Sequence, residues 1–251
     1  MKILDTNTKL AKPVDGANIA IVGCTMAPHS IGGGPTVCEG SSAGCRAACV
    51  MHFAGRRVME GVRAAALERK RLWFDNPQEF NRRLHNEIEG KLSKLDDLGI
   101  DRLLVRLNAA SDIRWESTGV MERYIGDGRV TFYDYTKLYD RVRAYLKGDM
   151  PTNYHLTFSA HERHRYNTLR SVLERGGNVA VVFDVQYNPQ HGKIGDLPER
   201  YMIGRRSYDV IDGDKHDARL PEFDGRGNVI GLRLKGVNKA KDRAKRKGFA
   251  M

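Results

Sequence analysis

"DNPQEFNRRLHNEIEGKLSKLDDLGIDRLLVRLN", residues 75 to 108, decides the fold class. Phe80, Leu84, Ile88, Leu92 and Leu95 recur every three or four positions, which puts them on one stripe of a helix. Asn76 is an N-cap, Pro77 stands at the first helical position and Glu79 is a capping-box partner, while Gly99 supplies a stop. "RLLVRLN" (102 to 108) follows at once, a short apolar run of strand length. A long amphipathic helix leading directly into a buried strand is the repeating half of a parallel α/β sheet.

Working outward, similar runs appear at "NIAIVGC" (18 to 24), "RVTFYDY" (129 to 135), "NYHLTFS" (153 to 159), "NVAVVFD" (178 to 184), "YDVIDGD" (208 to 214) and "NVIGLRL" (228 to 234). Further helices are expected around 52 to 72, 138 to 147 and 161 to 175, the last stopped by Gly176 and Gly177. Strands that are apolar through their middles are buried on both faces. About seven of them in 251 residues predict a single α/β domain over 1 to 234. Its expected form is a partial or complete parallel (β/α) barrel, with a doubly wound open sheet as the alternative, followed by a basic C-terminal segment, 235 to 251, expected to be partly disordered. In either form, functional groups gather at the carboxyl ends of the strands. Polar residues do cluster there: Asn108, Ser111 and Asp112, then Asp134 to Lys137, Ser159 and His161, Asp184, and Asp212 to Asp217. No Walker or dinucleotide-type glycine loop is present, since "IGGGPT" is too short and badly placed.

The stretch after the first strand, "PTVCEGSSAGCRAACVMHFAGR" (35 to 56), carries three of the chain's four cysteines. Cys38, Cys45 and Cys49 are spaced C-x6-C-x3-C in a Gly/Ser-rich loop that runs into a helix. That spacing does not fit paired C-x2-C zinc knuckles. A closed zinc site would need a fourth ligand, for which Cys24, His29 or His52 are candidates. Three thiols on one loop suit a [4Fe-4S] cluster with one iron left open. Cys24, ending an apolar strand, reads as a core thiol.

The net charge is +11 with a pI near 9.6. Arg233 to Lys247 holds eight Lys or Arg against Asp242 alone, and "GRRVMEGVRAAALERKRL" (55 to 72) holds six basic and two acidic residues. Such runs are either solvated faces or the electrostatic footprint of a polyanion, most plausibly nucleic acid or a nucleotide. No apolar run approaches the roughly 20 residues of a membrane span. Without a secretory leader at the N-terminus, a cytoplasmic location is expected, the host's cytoplasm if the chain is phage-encoded. There clustered thiols read as metal ligands or reactive thiols.

The order of a first strand, a three-cysteine loop and a β/α layout resembles the radical S-adenosylmethionine superfamily. That resemblance implies a [4Fe-4S] cluster on Cys38, Cys45 and Cys49 whose open iron chelates the amine and carboxylate of S-adenosylmethionine. The spacing departs from the superfamily's commonest C-x3-C-x2-C, and no glycine-rich amine-binding motif is evident on the next strand. A nearer resemblance spans most of the chain: "VCEGSSAGCRAACVMHFAGR", "RLNAASDIRWE", "FYDYTK", "NYHLTFS", "GGNVAVVFD", "VIDGDKHDAR" and "GLRLKG", in that order, are similar to a family of bacteriophage proteins. It implies a phage origin and a shared fold and transfers no activity.

The remaining candidates follow from strand alternation. Arg106 and Asn108 share a face, with Ser111 and Ser159 as further cofactor-binding groups; Arg106 binds an anionic group or pairs with a neighbour such as Asp134. Asp112, Asp134, Lys137 and His155 are the candidate acid, base and orienting groups, on the expectation that Phe132, Asp134 and Thr136 face the barrel interior. Asp212, Asp214, His216 and Asp217 form either a turn or an oxygen-ligand metal site. Three functions remain open. The first is a radical-S-adenosylmethionine-like iron–sulfur enzyme acting on nucleic acid or nucleotide; the second, a metal-dependent nuclease with structural zinc; the third, a metal-stapled binding module for nucleic acid or a host protein.

Overall fold

The protein was described from a computed structural model, which covers residues 1–7, 10–29, 31–53, 59–185, 187–188, 193–236 and 238–251. The seven runs read as strands all form strands: β1 (Ile19–Gly23), β2 (Arg102–Arg106), β3 (Val130–Thr136), β4 (Tyr154–Ser159), β5 (Val179–Phe183), β9 (Arg206–Asp212) and β10 (Val229–Arg233). Three further strands among the described residues are short: β6 (Tyr187–Asn188), β7 (Lys193–Ile194) and β8 (Arg200–Ile203). The main sheet has eight strands in the order β1-β2-β3-β4-β5-β10-β9-β8, and only the β8–β9 pair is antiparallel.

That order corrects two expectations. β1 stands at one edge and β8 at the other, so the sheet is open and the complete barrel is not formed. The β8–β9 hairpin ends the sheet because its antiparallel return occupies the edge beyond β10. The sequence of strands β1 to β5 and then β10 runs across the sheet without reversal, which is not the doubly wound order.

The helices are α1 (Ala43–Ala47), α2 (Val50–Phe53), α3 (Glu60–Asp75), α4 (Pro77–Leu92), α5 (Tyr139–Lys147), α6 (Tyr166–Glu174), α7 (Pro221–Asp224) and α8 (Asn238–Arg246). α4 starts as its sequence requires, with Asn76 Oδ1 accepting the Glu79 N–H at 3.0 Å. It ends at Leu92 rather than Gly99, because a 3-10 turn at Asp96–Leu98 intervenes, closed by Gly99 at φ +62°.

One face of the sheet packs under helices: Leu84 and Ile88 of α4 meet Leu103, Val105 and Phe132, and Val142 of α5 with Val172 of α6 meet Phe158 and Val181. The other face is covered below by Leu10, Val14, Ala218 and Leu220, which pack on Ile21, Leu104 and Tyr133. Above, it is covered by Ala48, Ala244 and Phe249 against Val182 and Leu234. The C-terminal segment is thus an ordered element of the domain and not a loose tail: Ala240 and Ala244 are buried, α8 packs on α1, and Met251 N donates to Val182 O at 2.9 Å. The second basic stretch also turns partly inward. Arg69 donates to Lys2 O and Thr25 O, and Lys70 to Ile31 O and Gly33 O, the normal fate of a buried cation. Among the described residues no helix is long and apolar enough to cross a membrane.

Candidate active-site pocket

A pocket of about 290 Å³ opens at the carboxyl ends of β2, β3, β4, β5 and β10, near the lower end for small-molecule sites. Cys38, Cys45 and Cys49 all line it. Arg106, Tyr135, Lys137, Ser159, Arg233 and Lys235 contribute to the rest. A larger surface hollow of about 490 Å³, near Arg114, Asp140 and Met150, includes none of the candidate site residues.

The cysteine loop is held from three sides. Asp112 N donates to Val37 O at 2.7 Å. Gly40 lies so near Asp112 and Lys137 that a Cβ there would stand 2.7 Å from Lys137 Cβ and 2.8 Å from Asp112 Oδ2, so only glycine fits. Glu162, from the β4–α6 loop, accepts from Ser42 Oγ at 2.7 Å and from Gly44 N at 2.8 Å, capping the short helix that carries Cys45. Burial opposes its charge, but those two donors hold its carboxyl below the usual range. Sequence reasoning missed Glu162, whose only signal was its place between two histidines just past a strand.

Cys38 donates its thiol to Ala110 O at 3.5 Å. Burial pushes its pKa up to about 12; the His29 backbone N–H pulls it down, and neighbouring Cys45 and Cys49 push it further up. A metal must displace that proton, so loading weakens as pH falls. Cys24 is fully buried in the helix-side core, and burial drives its thiol well above the ordinary value. It does not line the pocket that the other three share. Among the described residues, no three His, Cys, Asp or Glu side chains form a group that could hold a metal ion. A tetrahedral zinc needs such a group within about 2.3 Å of one point. A four-iron cluster takes one thiolate on each of three irons, and the soft thiols of Cys38, Cys45 and Cys49, all lining the pocket, are donors of that type.

Of the other candidates, Lys137 and Ser159 meet inside the pocket, with Lys137 Nζ donating to Ser159 Oγ at 2.6 Å. Arg106 donates to both oxygens of Asp217, at 3.0 and 2.9 Å, and stacks 4.8 Å over the Tyr135 ring. Its partner is Asp217, not Asp134, and its Nε is a buried donor with no acceptor among the described residues. Asp112 accepts from Arg141 Nη1 at 2.7 Å and from Lys137 N at 2.8 Å, so it positions the lysine and the loop together.

Two of the candidates, Asp134 and His155, lie outside the pocket lining. Asp134 points to the helix side, because Phe132 of the same face packs there; Tyr133 and Tyr135 take the pocket side. It accepts from Asn108 N at 2.6 Å and Tyr154 Oη at 2.9 Å. Burial pushes it up to about 7, against the pull of Asn108 N–H, Arg141 and Arg106. Asn108, just beyond β2, lines the pocket, and its side-chain carbonyl also holds the turn there, accepting from Ser111 Oγ, Ile113 N and Trp115 Nε1. His155 shares a face with Ser159 but sits four residues down β4, about 13 Å lower at strand rise, and bonds Tyr145 at 3.1 Å. In "VIDGDKHD" the carboxylates hold cations: Asp212 and Asp214 bind Arg233, Asp214 also binds Lys235, and Asp217 binds Arg106. His52, the last zinc candidate, has a side chain outside the described residues, as do residues 54 to 56 of the loop.

Beside the site, His161 and His164 stack with ring centroids 3.6 Å apart. Burial holds both down to about 4, reinforced by the Lys137 ammonium at His161 and by His161 at His164. Unfolded histidine titrates near 6.5, so between pH 6.5 and 4 the unfolded chain binds more protons and stability falls as pH drops. Thermal midpoints measured across that window should decline towards acid. His164→Gln should flatten the decline.

The family model described as Gene product 88 matches residues 1–250. That whole-chain match is consistent with the bacteriophage resemblance carried by the ordered motifs. No curated protein and no solved structure gives a significant match.

Proposed function

The chain belongs to the Gene product 88 family, a description that carries no activity, so the pocket has to supply it: we propose an iron–sulfur enzyme of radical S-adenosylmethionine type acting on a nucleic acid or nucleotide. The observation that carries this reading is the meeting of Cys38, Cys45 and Cys49 with Arg106, Lys137 and Ser159 in one pocket. Six parallel strands in consecutive spatial order also support it, because the superfamily resemblance implies a partial (β/α) barrel of that kind.

Cys38, Cys45 and Cys49 would hold the cluster. When bound, it would supply an electron to a sulfonium or polarise a substrate at its open iron. The chain's own residues do the rest. Asp112, fixed by Arg141, sets the backbone of Lys137 and the height of the cysteine loop. Lys137 carries a cation to the pocket interior, bonded among the described residues to a neutral hydroxyl, and so suits a phosphate or carboxylate. The charge of Arg106 is matched by Asp217, and what it can offer a ligand is its buried Nε, held in place by Asp217 and Tyr135. The nuclease reading loses its proposed ligands, since Asp212, Asp214 and Asp217 are bound to arginine and lysine.

The test is anaerobic purification followed by a visible spectrum and iron, sulfide and zinc analysis. A brown protein with about four irons and four sulfides per chain is expected, followed by reductive cleavage of added S-adenosylmethionine. A colourless protein holding one zinc overturns the reading.

A further inference from the structure

We propose that the rim of this pocket is a docking surface for the phosphate backbone of a nucleic-acid strand, which makes the substrate a nucleotide within a strand. The surface stands on its own evidence; only the assignment of the strand as substrate rests on the iron–sulfur reading.

Cations from three distant segments meet at α1. Arg46 lies on α1 itself, exposed, lining the pocket and donating to Ser41 O at 3.1 Å. Arg163, from the β4–α6 loop, is exposed and donates to the same Ser41 O at 3.4 Å. α8 buries Ala240 and Ala244, packs on α1 and leaves Lys239, Lys245 and Arg246 exposed, with Lys247 just beyond its end. Against these cations stand Glu162, which keeps its charge because its donors Ser42 Oγ and Gly44 N are neutral, Asp242, exposed on α8, and Asp184, which pairs with Lys245; Asp112 is matched by Arg141, leaving Arg46, Arg163, Lys239, Arg246 and Lys247 in excess. Positive charge therefore dominates a surface continuous with the cavity, because Phe249 of the same C-terminal segment lines the pocket, 5.9 Å from Lys137 Nζ.

An anionic bilayer fits this surface less well. Interfacial helices carry large apolar side chains on their buried face, whereas the apolar residues of α8 are two alanines already packed inside. Fixed cations without an apolar stripe are the complement of phosphates along a strand.

Fluorescence anisotropy with a short labelled oligonucleotide, single-stranded and duplex, tests the proposal. The variant Lys239→Ala, Arg246→Ala, Lys247→Ala is compared with Lys91→Ala, Lys94→Ala, Lys147→Ala. The second set removes equal charge at exposed positions just before β2 and β4 begin, the opposite end of the strands. For the rim variant the slope of log affinity against log salt should become shallower by roughly 2 to 3, and affinity near 0.1 M salt should drop on the order of a hundredfold. The second set should leave both unchanged. Equal behaviour of the two variants overturns the docking surface, as does binding to phosphatidylserine vesicles without binding to either oligonucleotide. Iron-free wild-type protein that still binds the strand would retain the surface and remove the iron–sulfur chemistry. Iron-loaded protein whose rim variant binds normally would do the reverse.

Discussion

Arg141→Met is expected to cost about 3 to 5 kcal/mol, the usual penalty for removing one partner of a buried ionic network. For a domain of this size that lowers the thermal midpoint by roughly 10 °C. Arg141 is 1% exposed and every bond it makes is to a buried or half-buried group. Nε and Nη2 grip Glu116 at 2.8 and 2.6 Å, Nη1 holds Asp112 at 2.7 Å, and Nη2 also reaches Tyr154 Oη at 2.9 Å. Methionine fills much of the same space but leaves Asp112 and Glu116 as uncompensated carboxylates. Arg141→Lys should do almost as badly, because an ammonium cannot supply the planar fork that serves both acids at once. Adding Asp112→Asn and Glu116→Gln to Arg141→Met should recover part of the loss, since the stranded charges disappear. Thermal or denaturant melts of the four proteins measure this. The effect reaches the pocket as well: Asp112 is the link between Arg141, the Lys137 backbone and the cysteine loop at Val37. Metal content should therefore fall in Arg141→Met even at temperatures where the protein is folded.

This network was only half legible in the sequence, for a physical reason. Strand alternation tells which residues share a face, and it correctly groups Phe132 with Asp134 and Tyr133 with Tyr135. When both faces are buried, however, the pattern does not say which one meets the helices, so Asp134 was expected inside the pocket and lies on the far side. Arg106 was read as an anion binder or an ion-paired group, but its partner is 111 positions away, within a stretch that looked like a turn or metal site. Pairings across such distances leave no local period. The order of the C-terminal segment is not legible because the apolar residues of its helix are Ala240 and Ala244 alone, a stripe too narrow to outweigh the charges around it. β8 escaped notice because "RYMI" is a short edge strand with half its residues exposed. The parallel core, by contrast, was legible because every strand is an apolar run, and the pocket because polar residues follow those runs at the same end of the sheet.

The largest functional effect is expected from the thiols. Cys38→Ser, Cys45→Ser and Cys49→Ser, each purified anaerobically, should each lose the brown colour and most of the iron, from about four per chain to below one. With three protein ligands for a cluster, each thiolate anchors a different iron, and a serine hydroxyl is a hard, poorly ionised substitute for a soft thiolate. Cys24→Ala is the internal control. Cys24 is buried in the core, its N–H bonded to Arg106 O at 2.9 Å, and outside the pocket lining. Its loss should cost about 1 kcal/mol or slightly more of packing while leaving iron content intact. His29→Ala discriminates the metals. His29 lines the pocket, and what it gives Cys38 is a backbone N–H, which alanine preserves. An iron–sulfur cluster on three thiols should therefore survive His29→Ala, whereas a zinc using His29 as fourth ligand would be lost with the ring. Iron retained in His29→Ala and Cys24→Ala, and lost in all three serine variants, is the pattern that the proposed three-thiol cluster predicts. Full iron in any one of the serine variants would remove that cysteine from the ligand set, and with it the three-thiol cluster.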